Sequence, residues 1–178
     1  TAAQYNAFDT ITAAATDVIN VTTMDGKTVA GSTAIDRFTF GAAEDGATIS
    51  SFTTSDVLNL DARTVKTDAY LETPIIAADF GAVGFFVIEG DVAGADAAMT
   101  AADLADVVNS FDNIDADETA YFMFKADADA VSDAFIYHVT ANADGNAFAS
   151  GTLIATLEDV KDLTDPAFTA ANFEITAG

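Results

Sequence analysis

Short runs of β-branched and aromatic residues, each closed by Asp, Gly, Asn or Ser, recur along almost the whole chain. Runs of this length suit strands and are too short for most amphipathic helices, so the pattern predicts a mainly β fold. The candidate strands are Val18–Met24, Ile35–Phe40, Ala47–Phe52, Val57–Leu60, Val83–Glu89, Thr119–Lys125, Ala134–Thr140, Gly151–Leu157 and Asn172–Thr176. Several alternate with period two: Ile35, Arg37 and Thr39 on one face oppose Asp36, Phe38 and Phe40 on the other. Strands at this spacing predict a β-sandwich or a layered β architecture. The 178 residues fit one β-rich domain over 25–178, preceded by residues 1–24 as an N-terminal arm or first strand. Pro74 and Pro166 both fall in expected connections.

Two segments depart from the strand pattern. Thr100-Ala-Ala-Asp103 offers an N-cap hydroxyl with an acid three residues on, and Leu104, Val107, Val108 and Phe111 follow at helical spacing. They predict one short helix around 100–111 with its apolar face on the sheet. Ala2–Ala15 is Ala-rich but leads into the Thr-rich, β-branched Thr16–Thr23, which predicts a short helix or an extended arm running into a strand.

Charge and absent residue types narrow the function. Six Lys and Arg against 29 Asp and Glu leave a net charge of −23. A phosphate backbone needs a basic face, so nucleic acid is excluded as a partner, and an anionic membrane surface repels such a chain. No uninterrupted apolar run reaches the ~18 residues of a membrane-spanning helix, so no membrane insertion is expected. Without Cys there are no disulfides, thiol nucleophiles or zinc–thiolate sites. His138 is the sole His, and alternation in Phe135-Ile-Tyr-His-Val puts it opposite Tyr137 on a strand, a packed or solvent-facing position rather than a catalytic one. No Gly-x-Ser-x-Gly elbow, phosphate loop or dinucleotide fingerprint occurs, so the chain reads as a non-enzyme. The start at Thr1, with no Met and no basic-then-apolar leader, reads as a mature product or a fragment.

Two acidic stretches are candidate Ca²⁺ loops. Asp112, Asp115, Asp117 and Glu118 alternate with Asn113 between the expected helix and a strand, and Asn142, Asp144 and Asn146 surround Gly145. Hard oxygen ligands at alternating positions suit Ca²⁺, although neither stretch has the full calcium-loop pattern with its terminal bidentate Glu. The competing reading is an ordinary turn, since Asp-Gly-Asn connects hairpins. Charge of this density is screened by salt within ~8 Å and neutralised locally by divalent cations, which fits a saline or calcium-bearing exterior. A faint echo joins Thr16-Asp-Val-Ile-Asn-Val to Ser55-Asp-Val-Leu-Asn-Leu. Two copies do not make a repeat array, and Asp is a common residue in the turn that opens a strand.

Ile35–Phe52 followed by Asp56-Val-Leu-Asn-Leu-Asp61 is similar to the C-terminal regions of RTX-type proteins exported by bacterial type I secretion. Those regions carry Asp-x-Phe-x-Phe, Gly-x-x-x-Ile-x-x-Phe and Asp-x-Leu-x-Leu strands in succession. Phe85-Phe-Val-Ile-Glu-Gly, Thr119-Ala-Tyr-Phe-Met-Phe, Leu153–Val160 and the terminal Phe173-Glu-Ile-Thr-Ala-Gly resemble the same tail. The glycine-rich nonapeptide that binds Ca²⁺ in the family is missing, so calcium at Asp36, Asp56 or Asp61 is not carried over. The resemblance implies an extracellular destination, folding favoured by Ca²⁺ and an uncleaved C-terminal export signal.

These readings combine into one expectation and one alternative. The first is a non-catalytic extracellular structural protein that self-assembles into a filament or surface layer, aided by Ca²⁺ and through addition of an N-terminal strand. Its partners would be copies of itself, with other cell-surface or matrix components beside them. The alternative is the C-terminal secretion or calcium-binding module of a larger type I-secreted enzyme or adhesin.

Overall fold

The computed structural model describes residues 17–21, 26–40, 46–60, 70–72, 84–88, 91–107, 119–127, 130–160, 163 and 170–174. The chain is mainly β, in layers. Eleven strands are described: β1 Asp17–Asn20, β2 Thr28–Ala30, β3 Asp36–Thr39, β4 Ala47–Ser50, β5 Val57–Asn59, β6 Tyr70–Glu72, β7 Phe85–Val87, β8 Thr119–Lys125, β9 Ser132–Ala141, β10 Phe148–Val160 and β11 Phe173–Glu174. The described helix, α1, spans Ala101–Val107, and a 3-10 turn at Ala170–Asn172 precedes β11. Each of the nine strands expected from the sequence has a counterpart, whereas β2 and β6 were not expected. Both are three residues long, too short for alternation to register. The expected helical or extended segment Ala2–Ala15 lies outside the described residues, as do Pro74 and Pro166.

The strands form two sheets. One has four strands, all parallel, in the order β1-β3-β5-β11. The other has seven, in the order β2-β4-β10-β9-β8-β7-β6, antiparallel at β10-β9-β8 and parallel elsewhere. The first part of the chain winds between them: β1, β3 and β5 go to the first sheet, and β2 and β4 to the second.

The registers turn the faint echo into a repeat. Asp17 lies opposite Asp36 and Arg37 opposite Val57, so successive coils are offset by 19 and 20 residues. Thr28 lies opposite Thr48 in the second sheet, again 20 residues on. Three copies of Asp-x-apolar-polar-apolar, starting at Asp17, Asp36 and Asp56, therefore stack in register, and Asp-Gly-x-Thr recurs at 25–28 and 45–48. Gly26 and Gly46 take the same left-handed turn, at φ 64° and 76°, which glycine adopts without a Cβ clash. Asp is thus more than a turn residue that opens a strand: it occupies the same rung position in each coil. β11 adds a fourth rung from the far end of the chain, with Phe173 opposite Leu58.

Two cores result. Phe38, Phe40, Leu58, Leu60 and Phe173 from the four-stranded sheet meet Ile49, Phe85, Tyr121, Met123, Ile136 and Leu157 from the larger one. The opposite face of the larger sheet presents Phe86, Phe122, Phe124, Tyr137 and Val139 to Leu104 of α1 and to Val92 and Ala95. β8 is covered on both faces, and its near-continuous apolar run follows from that. Within β9, Tyr137 and His138 point to opposite sides, and the His138 ring lies 5.1 Å from that of Tyr121.

The expected capping motif forms in full. Asp103 N–H donates to Thr100 Oγ1 at 3.3 Å, and Thr100 N–H donates back to the Asp103 carboxylate at 2.8 Å. Leu104 then seats α1 on β10, where a Cβ on Gly151 would lie 2.1 Å from Leu104 Cδ1. Helix and sheet meet this closely because residue 151 has no side chain.

Candidate functional site

The stacked coils bury carboxylates where the sequence pattern elsewhere buries phenyl rings. Asp36 and Asp56 are 1% and 0% exposed, on the same inward face as Phe38 and Leu58. Each is held by donors from the turn before it. Ser32 N–H donates to Asp36 Oδ2 at 2.6 Å, and Thr53 donates from both N–H (2.7 Å) and hydroxyl (3.0 Å) to Asp56 Oδ2. Between rungs, Asp36 N–H donates to Asp56 Oδ1 at 2.8 Å. Burial pushes the Asp56 carboxyl up; the bonds from Asp36 and Thr53 pull it back, and the Asp36 charge adds to the rise. At the fourth rung Asn172 Nδ2 donates to the carbonyls of Thr54 and Asp56, so the ladder is joined by an amide rather than another acid.

The outward face of this sheet is of a different kind. Register places Val18, Arg37 and Val57 in one row, and Asn20, Thr39, Asn59 and Glu174 in the next. Arg37 forms a two-pronged ion pair with Glu174 across β5. Asn59, on the strand that the pair crosses, has a buried Oδ1 without a hydrogen-bond donor. Val18 is 66% exposed, and Ile35, just ahead of β3, is 48% exposed.

A cleft of about 520 Å³ lies on the other side of the molecule, between the 91–100 segment and α1. Ile88 and Met99 contribute apolar wall, and Asp91, Asp96, Asp103 and Asp106 supply carboxylates. The nearby Tyr137 hydroxyl donates to the Asp96 carbonyl at 2.9 Å and accepts from Met99 N–H at 3.1 Å. Burial, with the charges of Asp96 and Asp103 adding, pushes this phenol up, so it stays neutral and serves to anchor the segment.

The two candidate calcium loops fare differently. Asp112, Asp115, Asp117 and Glu118 lie outside the described residues. Asn142, Asp144 and Asn146 form the β9–β10 hairpin, and its oxygens close the turn. Asn142 Oδ1 accepts from Asn146 N–H at 3.1 Å, Asn142 O accepts from Gly145 N–H at 3.0 Å, and Asn142 Nδ2 donates to Asn146 Oδ1 at 2.9 Å. Among the described residues no group of three or more His, Asp or Glu is arranged to hold a metal ion. Among them, too, no helix is long and apolar enough to cross a membrane.

Sequence reasoning missed the coil repeat and the outward strip. The signal for the repeat is the middle copy, Ile35-Asp-Arg-Phe-Thr-Phe, lying between Thr16-Asp-Val-Ile-Asn-Val and Ser55-Asp-Val-Leu-Asn-Leu. The class defined by these elements is a layered β protein in which a short parallel coil stack runs into a mixed sheet. Comparison with family models, curated proteins and solved structures found no match for this chain.

Proposed function

We propose that the protein is a non-catalytic extracellular structural subunit that self-assembles into a filament or surface layer. One observation carries the reading. Among the described strands, β1 and β2, those of the first coil, are the outermost of their two sheets, at the same end of a stack of parallel rungs. An edge strand is a template for a further strand, and a parallel ladder extended from one copy to the next makes head-to-tail contacts that do not close. β11 illustrates such an addition within one chain, because it comes from a remote part of the sequence and still takes the next rung. The N-terminal strand is β1, paired with β3, so it acts as the acceptor of an added strand; residues 1–16 lie outside the described residues.

Calcium enters through charge. With −23 on each copy, association needs screening, and divalent cations bridging carboxylates such as Asp112–Glu118 supply it locally. Electron microscopy with analytical ultracentrifugation, across protein concentration and with Ca²⁺ or chelator at matched ionic strength, tests the reading. Polymers whose mass grows with concentration and with Ca²⁺ are expected; a chain that stays monomeric throughout fails it.

The coil end also favours the alternative, a C-terminal secretion or calcium-binding module of a larger secreted enzyme or adhesin. Coils preceding Asp17 in a longer chain would stack on β1 and β2 as these stack on β3 and β4. The mass of the native protein separates the two, since a chain much longer than 178 residues favours the module.

A further inference from the structure

We propose that the outward face of the four-stranded sheet, centred on Val18 and Ile35, is where a second copy of this chain packs, strip against strip. This rests on the self-assembly reading and adds the surface through which neighbouring copies touch sideways. Charge favours this occupant. The row positions Val18, Arg37 and Val57, and Asn20, Thr39, Asn59 and Glu174, hold one cation and one anion, already paired with each other. The strip is neutral on a chain with 29 acids and six bases. Two copies approaching through acid-rich surfaces repel, whereas copies meeting through this strip bring no net charge together.

Exposure points the same way. Three large apolar residues among those described are exposed, and two of them belong to this strip, Val18 in its first row and Ile35 just ahead of β3; the third, Val131, lies ahead of β9. Sheets pack face to face through apolar side chains at ~10 Å separation. An edge on which Val18 stands two-thirds exposed gains most by acquiring such a cover. Four strands at ~4.8 Å spacing and about four residues of ~3.3 Å each give a contact of only about 250–300 Å² per copy. Standard stable dimers bury ~800 Å² per partner. The strip therefore suits a contact repeated many times in an assembly, where avidity multiplies weak single contacts, rather than an isolated dimer.

The test compares the double variant V18E/I35E with V131E and the unchanged chain. The concentration needed for polymerisation is read by ultracentrifugation and electron microscopy, with a thermal melt on each to confirm folding. V18E/I35E is expected to raise that concentration about tenfold or more while melting like the unchanged chain, because both sites are exposed. V131E adds a like charge to another exposed apolar site and is expected to leave it unchanged. Normal polymerisation of V18E/I35E, or an equal loss in V131E, overturns the strip while leaving self-assembly standing. An unchanged chain that never polymerises overturns both, and assigns the strip to a different protein.

Discussion

The coil stack and the β7–β10 part of the larger sheet solve the burial problem in opposite ways. β8 and β9 bury an almost unbroken apolar series, and their rings stack across strands: Phe86 on Phe122 at 5.0 Å and Phe124 on Tyr137 at 5.7 Å. Their one buried cation, Lys125, sits at the strand end and donates to the carbonyls of Val160, at 2.8 Å, and Ala130. Within each rung the coil stack alternates a buried carboxylate with apolar side chains, and each carboxylate is supplied with donors from its own turn. A core built from apolar area tolerates imperfect positions, because the hydrophobic contribution is non-directional. A core containing carboxylates depends on register, since a one-residue slip along a strand leaves charge and donors unmatched.

The largest expected effect probes the apolar region. Phe122→Ala removes a ring packed between Phe86 and Phe148, and should lower unfolding free energy by about 3–5 kcal/mol in urea titration. A loss under about 1 kcal/mol would show that this layer is loosely packed, and would collapse the contrast with the coils.

Asp56→Ala is the counterpart in the coil stack. It leaves the buried N–H of Asp36 and the N–H of Thr53 without their acceptor, at about 1–3 kcal/mol for each orphaned donor; removing a carboxylate penalised by burial offsets part of this, leaving a loss of about 2–4 kcal/mol. Asp56→Leu separates the two schemes. It supplies apolar area on the inward face that Phe38 and Leu58 share, and should still destabilise; an unchanged or raised melting temperature would mean that area alone holds the coils together.

At the contact between α1 and the sheet, Gly151→Ala drives a Cβ into Leu104 and should cost about 1–3 kcal/mol. Pairing it with Leu104→Ala should recover part of that loss, and a double-mutant cycle with no coupling would remove the close-approach argument.

The smallest effect is the dependence on pH, and its sign differs between the carboxylate that caps α1 and the one buried in the coils. Hydrogen bonds from Thr100 hold the Asp103 carboxyl below its usual 3.8. Its contribution is present above 3.8 and is lost as pH falls through the lower folded value. Asp56 is raised, mainly by burial, so the penalty on its charged form is fully present at neutral pH and is relieved as pH falls through the raised value towards 3.8. Melting the unchanged chain, Asp103→Asn and Asp56→Asn from pH 7 to pH 3 checks both signs. The deficit of Asp103→Asn should shrink only below about pH 4. That of Asp56→Asn should grow as acid relieves the buried carboxylate in the unchanged chain.

What the sequence determined by itself is local. Strand-length runs, the Thr100–Asp103 cap and the opposite placement of Tyr137 and His138 depend on neighbours within a few residues, whose sterics and hydrogen bonds act in any context. Nine strands could therefore be found in advance. The tertiary structure decided which strands stack, and so which polar residues are buried. The alternation of Asp36 with Phe38 and Phe40 was plain in the sequence, but Asp36 becomes a buried carboxylate only because β1 and β5 lie beside β3 in register. The outward strip exists for the same reason: Arg37 and Glu174 are 137 residues apart and meet because β11 returns to pair with β5. Pairing across such separations is fixed by the sum of many weak contacts over the whole fold, and no short stretch of sequence contains that sum.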